Sequence, residues 1–270
     1  MQRLITGLCL VALLAFALWM GGWVYSILYM AFMCLAMYEM INALKTAGHR
    51  IVEWPCWLCM AVSLVLFNVA GSVTLLTPLL AGTFFLISVV VIFRKGPTLE
   101  DALLSAMPLL AVAMPGICML GLQNAPDRTT WLLLTLLAFG IPLAGDTLAY
   151  FIGSRIGKRK LCPEVSPHKS VEGAVAGLAG SILFAMACAG VVSAFAPIPP
   201  FWHMPILGLL GGMAGQMGDL FASLVKRHCG VKDFSNVFPG HGGVMDRLDS
   251  VLWATVVLYI YLNLILMIAK

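Results

Sequence analysis

The chain has 270 residues, of which 61% are hydrophobic and only 10% are charged. Soluble domains carry roughly 25% charged residues, so this composition excludes an ordinary soluble globular protein. The formal net charge of +4 is modest and gives no reason to expect a nucleic-acid partner.

Long apolar runs between short polar breaks dominate the chain. A helix that crosses a bilayer needs about 20 mostly apolar residues. The pattern therefore predicts an all-α, polytopic integral membrane protein with about nine transmembrane helices. Arg3 precedes the first run, as in a signal peptide, but no small-x-small cleavage site follows, so this run is interpreted as an uncleaved span. The predicted spans are residues 4–20, 23–44, 54–70, 72–93, 102–121, 129–152, 173–196, 201–225 and 250–269.

The basic residues are distributed unequally between the two sides that these spans define. Of the 16 lysines and arginines, only Arg128 and Lys270 fall on one side, and the other 14 fall on the opposite side with the N-terminus. Because loops rich in Lys and Arg stay in the cytoplasm, the rich side is predicted to be cytoplasmic. We expect a protein of the cytoplasmic (inner) membrane whose active site faces the cytoplasm.

The two halves of the chain differ in the polar residues that they carry. Residues 1–125 are predicted to be a transmembrane scaffold, and their cytoplasmic-side acids are interpreted as solvated loop charges: Glu39, Glu53, Glu100 and Asp101. Cys56 and Cys59 form a CxxC without a second pair, so they are interpreted as core residues. Residues 126–270 are predicted to be the catalytic region, with cytoplasmic polar loops 153–172 and 226–249.

Asp146 is the first ionisable residue that lies well inside a predicted span. It sits about 10 Å below the cytoplasmic surface at 1.5 Å per residue, and such residues usually mark a functional site. The polar loop that follows contains Lys169 just before a helix predicted to start near Glu172. Because helix N-termini attract anions, Lys169 is a candidate phosphate ligand.

The span 201–225 is rich in glycine and contains a second intramembrane acid, Asp219. Its small-xxx-small glycine pairs predict close packing of helix backbones: Gly208 with Gly212, and Gly211 with Gly215. Asp219 is predicted at about the same depth as Asp146. The glycines could serve contacts within one chain or between two, so a homodimer stays an open alternative.

Residues 223–249, called the signature segment below, form the longest polar run of the chain. Asp246 and Asp249 stand at i, i+3 spacing and share one face of a helix. Together with Asp146 and Asp219 they would repel one another in a common cavity, so a bound cation is expected. Oxygen ligands alone suit Mg²⁺ better than zinc. The neighbouring lysines and arginines suit phosphoryl or nucleotidyl transfer.

The signature segment resembles that of the phosphatidate cytidylyltransferases (CDP-diglyceride synthetases). The resemblance rests on Ser223-x-x-Lys226-Arg227, Lys232-Asp233 and His241-Gly242-Gly243-x-x-Asp246-Arg247-x-Asp249. Two further stretches are similar: Asp146-Thr147-x-Ala149-Tyr150-x-x-Gly153 and Ser166-Pro167-His168-Lys169-Ser170-x-Glu172-Gly173. A basic residue often stands where His168 lies. The resemblance covers roughly residues 146–250.

The resemblance implies a reaction between CTP and phosphatidate, with Mg²⁺, that gives CDP-diacylglycerol and pyrophosphate in phospholipid biosynthesis. It implies catalytic roles for Lys226, Arg227, Lys232, His241 and Arg247. It implies substrate binding by Asp146, Tyr150, Lys169, Ser223, Gly242 and Gly243. The metal is expected on Asp219, Asp246 and Asp249, with a second cation left open.

Two alternatives remain at the level of the sequence. A cation-coupled secondary transporter of an anion would also carry intramembrane acids and glycine-rich helices, although here the charges gather at one membrane face. A cytidylyltransferase acting on another lipid phosphate is the second alternative, because contacts to acyl chains are generic apolar surface.

Overall fold

The computed structural model describes residues 2–71, 75–237 and 242–268, and most of these residues are helical. Each predicted span coincides with helix in the described residues, so the prediction of an all-α membrane protein is confirmed. The predicted spans 72–93 and 250–269 each extend onto residues outside the described ranges. The helices are α1 (Gln2–Met20), α2 (Gly22–Thr46), α3 (Trp54–Ala70), α4 (Leu76–Ile92), α5 (Leu99–Pro108), α6 (Met114–Gly121), α7 (Arg128–Ile156), α8 (Val171–Ser193), α9 (His203–His228) and α10 (Met245–Ile268).

Five helical segments among the described residues are long and apolar enough to cross a bilayer. Three shorter helices are also apolar: Gly7–Met20, Trp54–Val69 and Leu76–Ile92. Large apolar side chains remain exposed on many helices, including Phe85 on α4 and Leu183 on α8. Such exposure is expected where lipid rather than water surrounds the helix. The five long segments are Gly22–Thr46, Leu99–Asn124, Arg128–Ile156, Val171–Ser193 and Met245–Met267.

The chain divides into two compact units that interleave along the sequence. The first unit comprises Met1–Gly121 and His228–Leu248, and the second comprises Leu122–Arg227 and Asp249–Lys270. The signature segment is therefore divided between them. Its Lys226 and Arg227 belong to the second unit. Residues 229–244, called the signature loop below, belong to the first unit.

In the first unit, α2 supplies much of the core. Met33, Met37 and Met40 are fully buried along it, and Met33 lies against Gly116 of α6. Between α5 and α6 the chain forms a π-helical turn, Leu109–Ala113. This turn follows Pro108, which has no amide hydrogen and so cannot continue the α-helical hydrogen-bond ladder.

In the second unit, small residues let α7, α8 and α9 approach closely. A β-carbon added to Gly180 of α8 would lie 2.9 Å from the Ala144 carbonyl oxygen of α7. One added to Gly208 of α9 would lie 2.6 Å from the α-carbon of Ile182 on α8. Gly211 and Gly215 face Ile141 and Pro142 of α7. The glycine pairs of α9 therefore contact other helices of this unit, as their spacing predicts.

A short antiparallel hairpin connects α7 to α8. Its strands are β1 (Lys160–Cys162) and β2 (Ser166–Ser170). The sequence predicts only a polar loop here, and the hairpin is an addition to that prediction. Because β2 leads directly into α8, the residues of this strand are held at the N-terminal end of that helix.

Candidate active site

The acid predicted inside α7, Asp146, lies on a cavity of about 560 Å³ in the second unit. Lys169 of β2 lies on the same cavity, so the structure brings together two residues that the sequence assigned to substrate binding. The lining residues come from α7, the hairpin, α8 and α9: Asp146, Ala149, Tyr150, Gly153, Ser154, Gly157, Lys160, Leu161, His168, Lys169, Ser170, Gly173, Ala174 and Gln216.

Lys169 forms an ion pair with Asp219 of α9. About one quarter of each side chain is exposed, so the pair is accessible from the cavity side without being fully solvated. The second carboxylate oxygen of Asp219 accepts a 3.5 Å hydrogen bond from Ser223 Oγ, one helical turn further on. Asp146 lies close enough to interact electrostatically with both Asp219 and Lys169. One lysine thus interacts with two acids, from α7 and α9.

The local sequence explains why Lys169 is held at this point. Ser170 caps α8, since its hydroxyl accepts a 3.1 Å hydrogen bond from the Gly173 amide. Glu172, in the first turn of α8, accepts hydrogen bonds from the amides of Lys158 and Arg159 at 3.1 and 3.3 Å. These contacts fix both ends of the hairpin. The sequence predicted the helix start near Glu172, but it did not predict the hydrogen bonds from Lys158 and Arg159 to the Glu172 carboxylate.

Asp249 is a further predicted site residue of the second unit, and it is buried. Its Oδ1 accepts hydrogen bonds from the amide and the hydroxyl of Ser250, at 2.6 and 3.2 Å. Asp249 also interacts electrostatically with Asp219 and Lys226. A β-carbon on Gly218 would lie 2.6 Å from the Asp249 carbonyl oxygen, so the backbones of α9 and α10 meet beside Asp219.

The other predicted residues of the second unit are more exposed. Arg227 is exposed, and its Nε donates to the carbonyl oxygen of Val165 in the hairpin turn at 3.4 Å. Lys226 is half-buried. Tyr150 is 72% exposed and stacks edge-on against Phe151. These positions can meet a ligand that enters from solvent or from the bilayer surface.

In the first unit, Asp246 organises the loop of the signature segment. Its Oδ2 accepts hydrogen bonds from the amides of Phe234 and Gly243, at 2.9 and 3.0 Å. Gly242 has a φ of +77°, in the left-handed region that favours glycine. Lys232 and Arg247 are exposed. His241, a predicted catalytic residue, lies outside the described residues.

Asp246 belongs to the first unit, whereas Asp219 and Asp249 belong to the second. The structure therefore brings Asp219 and Asp249 together within one unit. The assignment of all three acids to one metal ion stays a prediction.

The structure adds Glu39 of α2, which the sequence analysis interpreted as a solvated loop charge. That interpretation is wrong, because Glu39 is only 1% exposed. Its carboxylate accepts hydrogen bonds from Ser235 Oγ at 2.5 Å, from the Val244 amide at 3.0 Å and from the Met245 amide at 2.8 Å. Glu39 thus holds Ser235 and the end of this loop, at Val244 and Met245, against α2. The signal in the sequence that could have revealed this role is an acid placed within an apolar run.

Asp101 is a second acid for which the solvated interpretation is wrong. It is 8% exposed and forms an ion pair with Arg94, which also donates to the carbonyl oxygen of Arg50. Glu53 and Glu100 are considerably more exposed, as expected of loop charges. Asp101 therefore has a structural role in the first turn of α5.

Cys229 is not suited to act as a nucleophile in the signature segment. Cys229 lies at the start of the signature loop, but it is buried, and burial raises the pKa of its thiol. A thiol with a raised pKa stays protonated and unreactive. Cys56 and Cys59 are buried and free of disulfides, in agreement with their interpretation as core residues.

Among the described residues, one group of side chains is close enough together to hold a metal ion, and it differs from the predicted one. It consists of His49, Glu100 and His228 in the first unit. The ligand set includes two imidazoles, whereas the predicted site uses carboxylates alone.

The long apolar helices define an integral membrane protein, and its second unit carries an ion pair and a further acid at a cavity. Comparison with known proteins identifies the class further. Residues 1–265 match the model of the cytidylyltransferase family. The chain therefore belongs to the cytidylyltransferase family, and it is an enzyme of the nucleotidyltransferase class.

Several relatives carry the name phosphatidate cytidylyltransferase. The protein of that name from Bacillus subtilis (strain 168) is 30% identical over 97% of this chain and 97% of its own length. The one from Synechocystis sp. is 30% identical over 98% of this chain and 97% of its own length. The one from Staphylococcus saprophyticus is 37% identical over 69% of each chain.

Proposed function

We propose that this enzyme transfers CMP from CTP to phosphatidate, giving CDP-diacylglycerol and pyrophosphate. The single observation that carries the proposal is the ion pair between Lys169 and Asp219 beside Asp146, at a cavity between membrane helices of a cytidylyltransferase. A lipid whose phosphate lies at the bilayer surface requires cationic groups near the ends of membrane spans. The names of the full-length relatives support the same lipid substrate.

The chemistry requires little covalent help from the protein. An oxygen of the lipid phosphate attacks the α-phosphorus of CTP, and the bond from that phosphorus to the bridging oxygen breaks as pyrophosphate leaves. The attacking phosphate is already an anion, so no general base is needed. The enzyme must hold the lipid phosphate and CTP together, with the attacking oxygen, the α-phosphorus and the leaving oxygen in line. It must also neutralise the charge of both anions.

The basic residues divide this work. Lys169 lies on the cavity and is suited to hold a phosphate oxygen once a substrate draws it from Asp219. Lys226, Arg227, Lys232 and Arg247 are suited to the remaining phosphate oxygens, since Arg donates in a bidentate fork. Ser223, Tyr150, Gly242 and Gly243 complete the substrate contacts of the proposal, and His241 keeps the catalytic role that the resemblance implies.

The carboxylates proposed to hold the metal ion suit Mg²⁺ by their chemistry. Asp219 interacts electrostatically with Asp249 and Asp146, and carboxylate oxygens are the ligands that Mg²⁺ prefers. Asp219, Asp246 and Asp249 would hold the ion, and its charge would offset the negative charge at the transferring phosphorus. The hydrogen bonds that Asp246 accepts from Phe234 and Gly243 would orient that carboxylate, as outer contacts commonly do for metal ligands.

We also propose that the protein resides in the cytoplasmic membrane with this site open to the cytoplasm, where CTP is available. The concentration of lysine and arginine in the loops of one side supports this orientation. In the same proposal, residues 1–125 act mainly as scaffold and residues 126–270 carry most of the chemistry. Glu39 is the exception, since it supports the signature loop from the scaffold.

The test is a panel of lipid acceptors. Purified protein in nanodiscs is incubated with Mg²⁺ and CTP labelled at the α-phosphate, with phosphatidate, lysophosphatidate, an isoprenyl phosphate or no added acceptor. The proposal predicts label in a lipid product with phosphatidate and the highest rate for that lipid. Faster transfer to a different lipid phosphate would contradict the proposed substrate, and absence of any labelled lipid would contradict the reaction.

A further inference from the structure

We propose that the first unit binds a divalent transition metal ion of the Zn²⁺ class through His49, His228 and Glu100, separate from the carboxylate site. The three residues come from distant parts of the chain. His49 lies between α2 and α3, Glu100 lies in the first turn of α5, and His228 is the last residue of α9. Their ligand atoms lie within 4.8 Å of one another.

The two imidazoles face each other through the Nε2 atom of each ring. His49 Nε2 and His228 Nε2 are 2.8 Å apart, and the rings are nearly parallel with centroids 4.8 Å apart. A neutral imidazole has one nitrogen with a proton and one with a free lone pair. Two facing nitrogens at this distance share one proton, and a metal ion can replace that proton by accepting both lone pairs.

Glu100 prepares His49 for that role. Its Oε1 lies 3.5 Å from His49 Nδ1, on the other side of the ring from His228. A carboxylate beside Nδ1 favours the tautomer that carries its proton there, which leaves Nε2 unprotonated. His49 is also the least exposed of the set, with 18% of its side chain accessible, so its ring is held by its surroundings.

A metal ion fits after small movements. Zn²⁺ binds nitrogen and oxygen ligands at about 2.0–2.2 Å, so two ligands of one ion lie about 3.3 Å apart in a tetrahedral site. The imidazole nitrogens must separate by about half an ångström, and the carboxylate must approach. Glu100 is 64% exposed, so its side chain can leave His49 Nδ1 when an ion arrives and bind the ion instead. Two imidazoles and one carboxylate, with water in the fourth position, suit Zn²⁺ rather than Mg²⁺.

The position of His228 gives the site a consequence for the enzyme. His228 follows Lys226 and Arg227 directly and precedes the signature loop. An ion on His228 would join the beginning of that loop to the segment after α2 and to the first turn of α5, all within the first unit. The ion is therefore expected to stabilise the folded protein, because a ligand that binds only the folded state raises its stability.

The experiment uses the full chain in nanodiscs, freed of bound metal and kept in excess Mg²⁺ so that the carboxylate site is filled. Zn²⁺ is titrated by calorimetry, and Co²⁺ is added separately because its visible spectrum reports four-coordinate nitrogen and oxygen ligands. We expect one ion per chain and a higher thermal midpoint with Zn²⁺. His49→Ala and His228→Ala should each raise the Zn²⁺ Kd at least tenfold and remove the thermal shift.

Two further variants keep the result interpretable. His168→Ala, which removes an exposed histidine of the other unit, should bind Zn²⁺ as the wild type does. Glu100→Gln changes an exposed side chain, so it should fold normally and still weaken Zn²⁺ binding and alter the Co²⁺ spectrum. Failure of the wild type to bind Zn²⁺ in the micromolar range would overturn the proposal. A Zn²⁺ Kd that stays at the wild-type value in both His49→Ala and Glu100→Gln would also overturn the proposal.

Discussion

Glu39 shows how much one buried side chain can determine. It lies in a membrane helix, yet its carboxylate accepts three hydrogen bonds from the signature loop, at Ser235, Val244 and Met245. A buried carboxylate is tolerated when it is paired or well hydrogen-bonded, and here backbone amides supply most of the partners. Because Gly243 lies against this carboxylate, a side chain at residue 243 would collide with it. Glu39 is thus a positioning residue for the loop that contains Asp246.

Glu39→Gln should destabilise the signature loop and lower turnover. Glutamine keeps the size of the side chain but offers one oxygen and one amino group, so one loop amide loses its acceptor. A buried donor without a partner costs about 1–3 kcal/mol. We expect faster hydrogen exchange at the amides of Val244 and Met245, together with a fall in kcat at unchanged protein yield.

Glu53→Gln is the matched control. Glu53 belongs to the same unit, but it forms only a partly exposed ion pair with Lys45 at 2.7 Å. Such surface pairs contribute about 0–1 kcal/mol. Equal hydrogen exchange in the loop for Glu39→Gln and Glu53→Gln would show that Glu39 does not hold the loop.

At the same scale, the sequence was most informative where a charge interrupts an apolar run close to other polar motifs. Asp146 and Asp219 stand out for this reason, and Lys169 stands out because it precedes a helix start. The ion pair between Lys169 and Asp219 could not be predicted, because it joins residues 50 positions apart in sequence. Glu39 was misread because its hydrogen-bond partners lie about 200 residues away along the chain.

At the scale of elements, glycine spacing determines how the helices of the second unit pack. Gly208 and Gly212 of α9 contact α8 at Ser181 and Ile182. In a membrane, small residues let dispersion contacts and close backbone approach replace the hydrophobic effect between helices. The spacing was readable from sequence, but the partner helix was not, because a glycine pair does not specify which surface it meets.

Gly208→Ala should therefore destabilise the second unit, whereas Gly211→Ala in the same helix should not. A β-carbon at residue 208 would lie 2.6 Å from the α-carbon of Ile182, and the helices must move apart. Such overpacking costs about 1–3 kcal/mol. A β-carbon at residue 211 would lie 3.4 Å from Ile141, an ordinary contact. Thermal unfolding in detergent measures both, and equal midpoints for the two variants would contradict this packing.

The hairpin of β1 and β2 is the element that the sequence did not reveal. Its strands have three and five residues and carry mostly polar side chains, so they show no alternation of apolar and polar positions. Its geometry depends instead on tertiary partners, namely the Glu172 carboxylate and the cap at Ser170. The predicted apolar runs needed no such partners, and each coincides with helix in the described residues. Five of these helical segments are long and apolar enough to cross a bilayer, and α9 is not among them.

At the scale of the whole molecule, the distribution of charge relative to the membrane is the main feature. Fourteen of the 16 basic residues fall on the side predicted to be cytoplasmic. The lysines and arginines proposed to bind phosphate are among these 14. In the proposed orientation, the same asymmetry would place these cations on the side of the membrane from which CTP is supplied.

Labelling of single cysteines should verify this orientation. In a background without the eight native cysteines, Glu164→Cys in the hairpin turn should react with an impermeant maleimide only after cells are opened. Pro126→Cys, between α6 and α7, should react in intact cells. Both positions are exposed, so access depends on the side of the membrane. The reverse pattern would contradict the proposed orientation.

The Mg²⁺ dependence of CDP-lipid formation by Asp219→Asn tests the proposed mechanism most directly. Asparagine keeps the size of the side chain but removes the charge that would hold the ion and that now pairs with Lys169. With phosphatidate and CTP in nanodiscs, we expect turnover to fall at least about 100-fold, as when strong electrostatic stabilisation of a transition state is lost. The remaining activity should require more Mg²⁺. Glu164→Gln, an exposed acid in the hairpin turn, should keep the wild-type rate and Mg²⁺ optimum. Near-wild-type turnover by Asp219→Asn at an unchanged Mg²⁺ optimum would contradict the account.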